Sequence, residues 1–153
     1  MSERPVRPFA QQDDAFRWSD VEVRTYKEEG TAPFRAVTRQ TLFSRPDMRG
    51  ELRYFEIAAG GHSTLERHLH AHAVMVLRGR GAVLVGDQVF PVGAHDLVSV
   101  PSLTWHQFRA APDAPLGFLC MVDAERDRPQ LPGPEDLADL RANPAVAAFL
   151  AGS

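Results

Sequence analysis

The chain has 153 residues, of which 44% are hydrophobic and 24% are charged, a composition typical of one globular domain with a sizeable core. These values exclude a collagen-like chain, a coiled coil and a wholly disordered chain. Seventeen basic and twenty acidic side chains give a formal net charge of -3. Because no overall basic field favours a polyanion, we expect neither a nucleic acid nor a membrane as partner.

The cysteine content and the N-terminal residues indicate the cellular compartment of the protein. Cys120 is the only cysteine, which rules out an intramolecular disulfide framework. No apolar run approaches the roughly 18 residues that a membrane span needs. The first fourteen residues, MSERPVRPFAQQDD, lack the apolar segment of a secretory signal. Together these features predict a cytoplasmic protein.

Residues 1–33 are predicted to form an N-terminal arm and an edge strand. Met1–Asp14 is polar and contains two prolines without a periodic pattern, as in a segment laid loosely on a domain. Trp18–Tyr26 alternates weakly between apolar and polar residues, which favours a strand. We expect this strand to be the one that could exchange across a dimer interface.

Residues 34–122 have the pattern of a β-barrel. Phe34–Phe43 is rich in β-branched residues, and short apolar segments separated by glycine and proline follow it: ELRYFEIA, HSTLERH, HAVMVLR, AVLV, QVF, DLVSV, HQFRA and LGFLCMV. Strands of about 4 to 8 residues punctuated by turn residues predict an antiparallel sandwich or barrel with one core. Within it, Val74, Val76 and Phe108 are expected to point inward and Cys120 to be a small buried side chain.

Residues 123–153 are predicted to form a linker and a helical tail. The segment DAERDRPQLPGP is charged and rich in proline, as loops are. Glu135–Leu140 and Pro144–Leu150 have helical character, and Pro144 is expected to separate two short helices. We expect the helices to pack on their own domain, with a partner-binding role as the alternative, through these apolar residues: Leu137, Leu140, Val146, Phe149 and Leu150.

Four of the six histidines lie within eleven residues: His62, His68, His70 and His72. In one extended strand, Glu66 and the last three of these histidines would share a face and span about 20 Å. One metal ion cannot bind all of them, because imidazole nitrogens lie only about 2.0–2.1 Å from a bound ion. We therefore predict that the chain turns back in a hairpin within residues 67–73.

Clustered imidazoles are the usual ligands of divalent transition metals. Neutral histidine binds Mn, Fe, Co, Ni, Cu and Zn, and a carboxylate in the set favours Mn and Fe. His106 lies near the start of the segment WHQF and could supply a further ligand from across a barrel. The alternative is a row of solvated histidines on an exposed strand. We expect one divalent transition metal per chain, with Mn, Fe, Ni, Cu and Zn as the candidates.

Two segments resemble the motifs of the cupin superfamily. In GAHDLVSVPSLTWHQF, the residues Asp96, Pro101 and His106 stand at the spacing of the second cupin motif, although His95 replaces its first glycine and Leu103 a later one. The segment VLRGRG is similar to the end of the first motif. The resemblance covers roughly residues 34–122. It implies a small single-domain cupin of the RmlC-like type, an all-β antiparallel double-stranded β-helix (jelly roll), here with short C-terminal helices.

The resemblance also implies a ligand set. With Gly79 as the motif glycine, the four metal positions are Glu66, His68, His72 and His106, with the glutamate transposed. His70 would then lie at the tip of the turn, as a proton carrier behind the ligands or as a replacement for Glu66. A register on Gly81 would instead use His68 and His70 with His106, leaving Val74 in the acidic position.

Cupins catalyse many reactions, so the fold alone does not identify the activity. The resemblance implies a metal-dependent enzyme for a small organic substrate, of dioxygenase or of isomerase or lyase type, with His70 as the catalytic residue. A non-catalytic protein that binds or senses a small molecule is one alternative, and a metal-free isomerase with a histidine base is another. Small cupins are often dimers, so a homodimer is expected.

Overall fold

The computed structural model of the chain describes residues 5–11, 15–25 and 35–152. Outside the described residues lie two pieces of the predicted arm, residues 1–4 and 12–14. The same holds for Tyr26 and Phe34, at the ends of two predicted strands. The strands and helices that it describes are β1 (Arg24–Thr25), β2 (Arg35–Phe43), β3 (Gly50–His62), β4 (His72–Val85), β5 (Gln88–Gly93), β6 (Leu97–Val100), β7 (His106–Ala110), β8 (Leu116–Asp123), α1 (Pro134–Arg141) and α2 (Pro144–Ala151).

Two long strands organise the barrel. Strand β3 pairs with β2 and β8, and its last residue pairs with β7. Strand β4 pairs with β6 and β8 along its first half and with β5 and β7 along its second half. All these pairings are antiparallel, and they connect the eight strands in one sheet. This is the jelly-roll barrel that the resemblance implied, so the predicted fold is confirmed.

The long strands continue through glycines that the sequence analysis treated as turns. The predicted strands HAVMVLR and AVLV form the single strand β4, and β3 runs through Gly60 and Gly61 to His62. In β4, Gly79 has a φ of 74° and follows a register shift between Val76 and Arg78. A bulge of this kind bends a strand without ending it.

The close approach at Gly79 leads to a prediction about stability. A Cβ at Gly79 would overlap the carbonyl oxygen of Pro115, whereas Gly60 has a φ of 75° with nothing within 4 Å of its Cβ position. We expect Gly79→Ala to lower the free energy of unfolding by about 2–4 kcal/mol, since backbone strain and overpacking add. The control Gly60→Ala has only the strain, about 1–2 kcal/mol. Urea unfolding of both variants measures the difference, and equal losses would contradict the prediction.

The two helices pack on the barrel, as predicted. Pro144 is the first residue of α2, and the side chain of Asn143 caps this helix by accepting a hydrogen bond from Ala145 N. A second hydrophobic cluster, apart from the barrel interior, joins barrel and helices: Leu65, Leu84, Leu140, Val146 and Phe149. None of the helices in the described part of the chain is long and apolar enough to cross a membrane.

The N-terminal segment packs on the outside of the barrel. Trp18 forms an isolated bridge with Phe9, and among the described residues of the predicted strand Trp18–Tyr26, the two of β1 are in a strand. The rings of Phe16 and Trp18 lie 5.9 and 5.1 Å from the ring of Tyr54, which is fully buried. Because neighbouring residues of a strand point to opposite faces, Arg53 points into the barrel.

Candidate metal centre

Three histidines from separate parts of the chain meet at one end of the barrel. His68 lies in the connection between β3 and β4, and His72 and His106 are the first residues of β4 and β7. One side-chain nitrogen from each lies within 4.8 Å of the other two. His68 and His106 are buried, and His72 is half-buried.

The spacing of these nitrogens fits one metal ion. Nε2 of His72 and Nε2 of His106 are 3.3 Å apart. Two imidazole nitrogens that bind one ion at 2.0–2.1 Å are separated by about 3.0–3.4 Å, depending on the coordination geometry. The group can therefore hold a divalent transition metal, for which imidazole is a suitable ligand.

Hydrogen bonds orient two of the rings for this role. Nδ1 of His106 donates to the carbonyl oxygen of Thr104 at 2.9 Å, and Nδ1 of His68 donates to that of His70 at 2.7 Å. A carbonyl only accepts, so each Nδ1 carries the proton and each Nε2 carries a lone pair. Such carbonyl contacts commonly set the tautomer and the orientation of metal-binding histidines.

Burial keeps the imidazoles neutral. It lowers the pKa of His72 to about 2, with a further contribution from the neighbouring histidines. Burial also lowers the pKa of His106 to about 4, although the hydrogen bond to Thr104 acts in the opposite direction. Near pH 7 both rings are in the neutral form, which is the form that binds a metal ion.

Glu66 lies beside the histidine group. It forms an isolated backbone bridge with His106, and its Oε1 is 4.0 Å from Nε2 of His106. The group whose donor atoms all lie within 4.8 Å of one another consists of His68, His72 and His106, and Glu66 is not part of it. That Glu66 is the fourth ligand therefore stays a prediction.

The chain bends between His68 and His72, but not in the predicted hairpin. Residues 69 and 70 form a bend, whereas β3 and β4 lie on either side of β7 and are not paired with each other. The hairpin was wrong because both flanking strands pair with distant parts of the chain. Because of this bend, the histidines do not form a row along one face of a strand. The ring of His70 stacks on that of His68, with centroids 3.7 Å apart.

Asp127 holds this bend in place, although no sequence pattern indicated a role for it. Its carboxylate accepts hydrogen bonds from Leu69 N at 2.7 Å, His70 N at 3.1 Å and His70 Nδ1 at 2.7 Å. Burial raises the pKa of Asp127, but these hydrogen bonds outweigh it and hold the pKa well below its usual range. Asp127, His68 and His70 form a second group that could hold a metal ion. The charged, proline-rich composition around Asp127 had indicated only a linker.

The interior next to the histidines is mostly apolar. Val74 and Val76 are fully buried, and Phe108 and Cys120 are 3% exposed, so their predicted inward positions are confirmed. Sγ of Cys120 is 3.4 Å from Nδ1 of His72, and burial raises the pKa of the thiol.

The remaining two histidines lie outside the group. His62 ends β3, with its Nδ1 2.9 Å from the carbonyl oxygen of Ser63. His95 is exposed in a turn with a φ of 75°. Neither belongs to the two groups of described residues that could hold a metal ion.

Comparison with known proteins agrees with the fold. Residues 53–122 match the family model of the cupin domain. The chain is 62% identical, over 98% of its length and 94% of the relative's, to 1-methylthio-D-xylulose 5-phosphate methylsulfurylase of Rhodospirillum rubrum. The chain belongs to the cupin superfamily.

Solved structures of similar proteins cover almost the whole chain. A cupin-2 domain protein of Rhodospirillum rubrum is 62% identical, with a TM-score of 0.85 over 97% of this chain and 98% of its own. A cupin 2 conserved barrel domain protein of Rhodopseudomonas palustris is 51% identical, with a TM-score of 0.86 over 94% of this chain and 97% of its own. The N-terminal segment and the helical tail are therefore shared with these relatives, together with the barrel.

Proposed function

We propose that this protein is a metal-dependent enzyme that removes the methylthio group of 1-methylthio-D-xylulose 5-phosphate. The observation that carries the proposal is the 62% identity to the methylsulfurylase along 98% of the chain. The histidine group supports it, because three imidazoles with mutually close nitrogens could hold the metal ion that the reaction would use.

The substrate's structure suggests how the group is transferred. The methylthio group is on C1, next to the C2 carbonyl. A low-molecular-weight thiol attacks the methylthio sulfur, so that an S–S bond forms and the C1–S bond breaks. The bonding electron pair passes to C1 and the C2 carbonyl, and C1 then takes up a proton. Each of the two sulfurs in the new disulfide loses one electron, C1 gains two, and the proton that C1 takes up balances the one the thiol lost; the products are a mixed methyl disulfide and a 1-deoxyketose 5-phosphate.

Each predicted site residue has a part in this scheme. His68, His72 and His106 would hold the metal ion, with Glu66 as the expected fourth ligand. When bound, the ion supplies a Lewis acid for the C2 carbonyl oxygen. His70, which Asp127 holds at 2.7 Å through Nδ1, is the candidate proton donor to C1.

Other activities from the sequence analysis are separate predictions. Dioxygenase chemistry and non-catalytic sensing would use the same histidine group, and neither has a relative of comparable identity among the proteins described above. The homodimer and the cytoplasmic location likewise stay predictions.

The test is turnover of the substrate by protein purified without a nickel column. With bound Mn, Fe, Ni, Cu or Zn and a small thiol in D₂O, we expect a 1-deoxyketose 5-phosphate whose new methyl group carries solvent deuterium, detected by NMR. A chelator should abolish turnover, and the active metal should restore it. If fully metal-loaded protein gives no product with any of these five metals, the proposal is wrong.

His70→Gln tests the role of His70 in the same assay. We expect about 100-fold slower turnover with the metal content unchanged, since general acid catalysis typically contributes a factor of about 100 to 10,000. Turnover equal to that of the unmodified protein would remove His70 from the mechanism and leave the proposed reaction standing.

A further inference from the structure

Two arginines and one glutamate form a charged cluster inside the barrel mouth. Nη1 of Arg126 donates a hydrogen bond to Oε1 of Glu51 at 3.2 Å, and the same oxygen is 3.8 Å from Nε of Arg53. The side chains of Arg53 and Glu51 are 10% and 13% exposed, and that of Arg126 is 30% exposed. With two cations and one anion, this charged cluster carries an excess positive charge in a largely desolvated place.

The charged cluster faces the histidine group across one strand. Strand β8 pairs Val122 with Glu51 on one side and with His72 on the other. In the next row it pairs Cys120 with Arg53 and with Val74. Directly paired residues share a face of the sheet, and two strand spacings amount to about 10 Å. The charged cluster and His72 therefore line the same interior, one strand apart.

Arg53 has unused hydrogen-bonding capacity there. Its Nε is buried and has no hydrogen-bond partner among the residues that the structure describes. An unsatisfied buried donor costs about 1–3 kcal/mol, more when it is charged. An anion with several oxygens could accept from both guanidinium groups, because arginine presents a planar set of donors that matches phosphate.

We propose that Arg53 and Arg126 bind the phosphate of a sugar phosphate whose other end lies at the histidine group. That the ligand is a phosphate ester rests on the proposed function. The carbonyl carbon and the phosphorus of an extended pentulose 5-phosphate are about 6 Å apart by standard bond lengths. Since the histidine and arginine side chains extend into the space between their strands, a molecule of this length reaches from one group to the other. Glu51 holds the two guanidinium groups in place and opposes the anion.

The test compares substitutions with opposite expected effects. Binding of D-xylulose 5-phosphate, D-xylulose and inorganic phosphate to the metal-loaded protein is measured by calorimetry. We expect Arg126→Gln to weaken D-xylulose 5-phosphate binding at least about tenfold and to leave D-xylulose binding unchanged, because one charge-assisted contact is lost. Glu51→Gln should tighten binding of the phosphate ester, an effect that mere loosening of the structure would not produce. The matched control is Arg80→Gln, since Arg80 is exposed and pairs with Asp113.

The outcomes separate this inference from the proposed function. If the phosphate ester binds as expected but the methylthio substrate is not turned over, the phosphate site is supported and the proposed function fails. If the substrate is turned over while Arg126→Gln and Glu51→Gln leave KM and phosphate binding unchanged, the phosphate site is wrong and the function stands. Circular dichroism of each variant checks that it is folded.

Discussion

His106→Ala is expected to lose the metal ion, and its turnover is therefore expected to fall by more than about 100-fold. Changes to residues that only support a ligand typically cost 10- to 100-fold in affinity or activity, and His106 supplies a nitrogen 3.3 Å from that of His72. Without it, two histidines remain, one in a connecting segment and one at the start of β4. Two donors and the neighbouring Glu66 form a much weaker site.

Elemental analysis of the purified variant measures this directly. The matched control is His62→Ala, because His62 is nearby in the sequence but lies outside the histidine group; it should keep one ion per chain. If His106→Ala retained a full complement of metal, the three-histidine site would be contradicted. Circular dichroism and the unfolding transition would show whether the metal is lost because a ligand is missing or because the variant does not fold.

The metal-free protein is expected to lose stability as the pH falls from 6.5 to 4. The pKa of His106 is about 4 and that of His72 about 2 in the folded chain, mainly because both are buried, against about 6.5 for an exposed histidine. Between these values the unfolded chain binds protons that the folded chain does not. Each such imidazole lowers the free energy of unfolding by about 1.4 kcal/mol per pH unit. Below pH 4 the contribution of His106 ends, because its folded form is protonated too.

Urea unfolding of chelator-treated protein between pH 7 and pH 4 tests the sign and the slope. In His106→Gln the slope should fall by the contribution of one imidazole. A stability that rose or stayed constant over this range would contradict the assigned pKa values. Added metal should oppose the loss, since the ion competes with protons for the same nitrogens.

The barrel and the histidines of the centre could be predicted because their signals lie in contiguous segments. Alternation, glycine and proline marked most of the strands, and the motif around Asp96, Pro101 and His106 indicated the jelly roll. Pro144 separated the two helices for a local reason, since proline lacks the donor that a helix interior needs. Each of these inferences depends on backbone preferences or on spacing within a few residues.

The register between distant strands decided which side chains meet inside the barrel. Local sequence patterns specified the fold class and the histidines available to a metal. Only the tertiary structure placed Asp127 on the bend at His70, turned Arg53 inward and brought Arg126 beside Glu51. The Asp127–His70 and Arg126–Glu51 contacts join residues that are 57 and 75 positions apart in the sequence. The direction of Arg53 depends on which face of β3 the N-terminal segment covers. A one-residue change of register would exchange the two faces of a strand, so local sequence patterns could not specify which charged side chains meet inside the barrel.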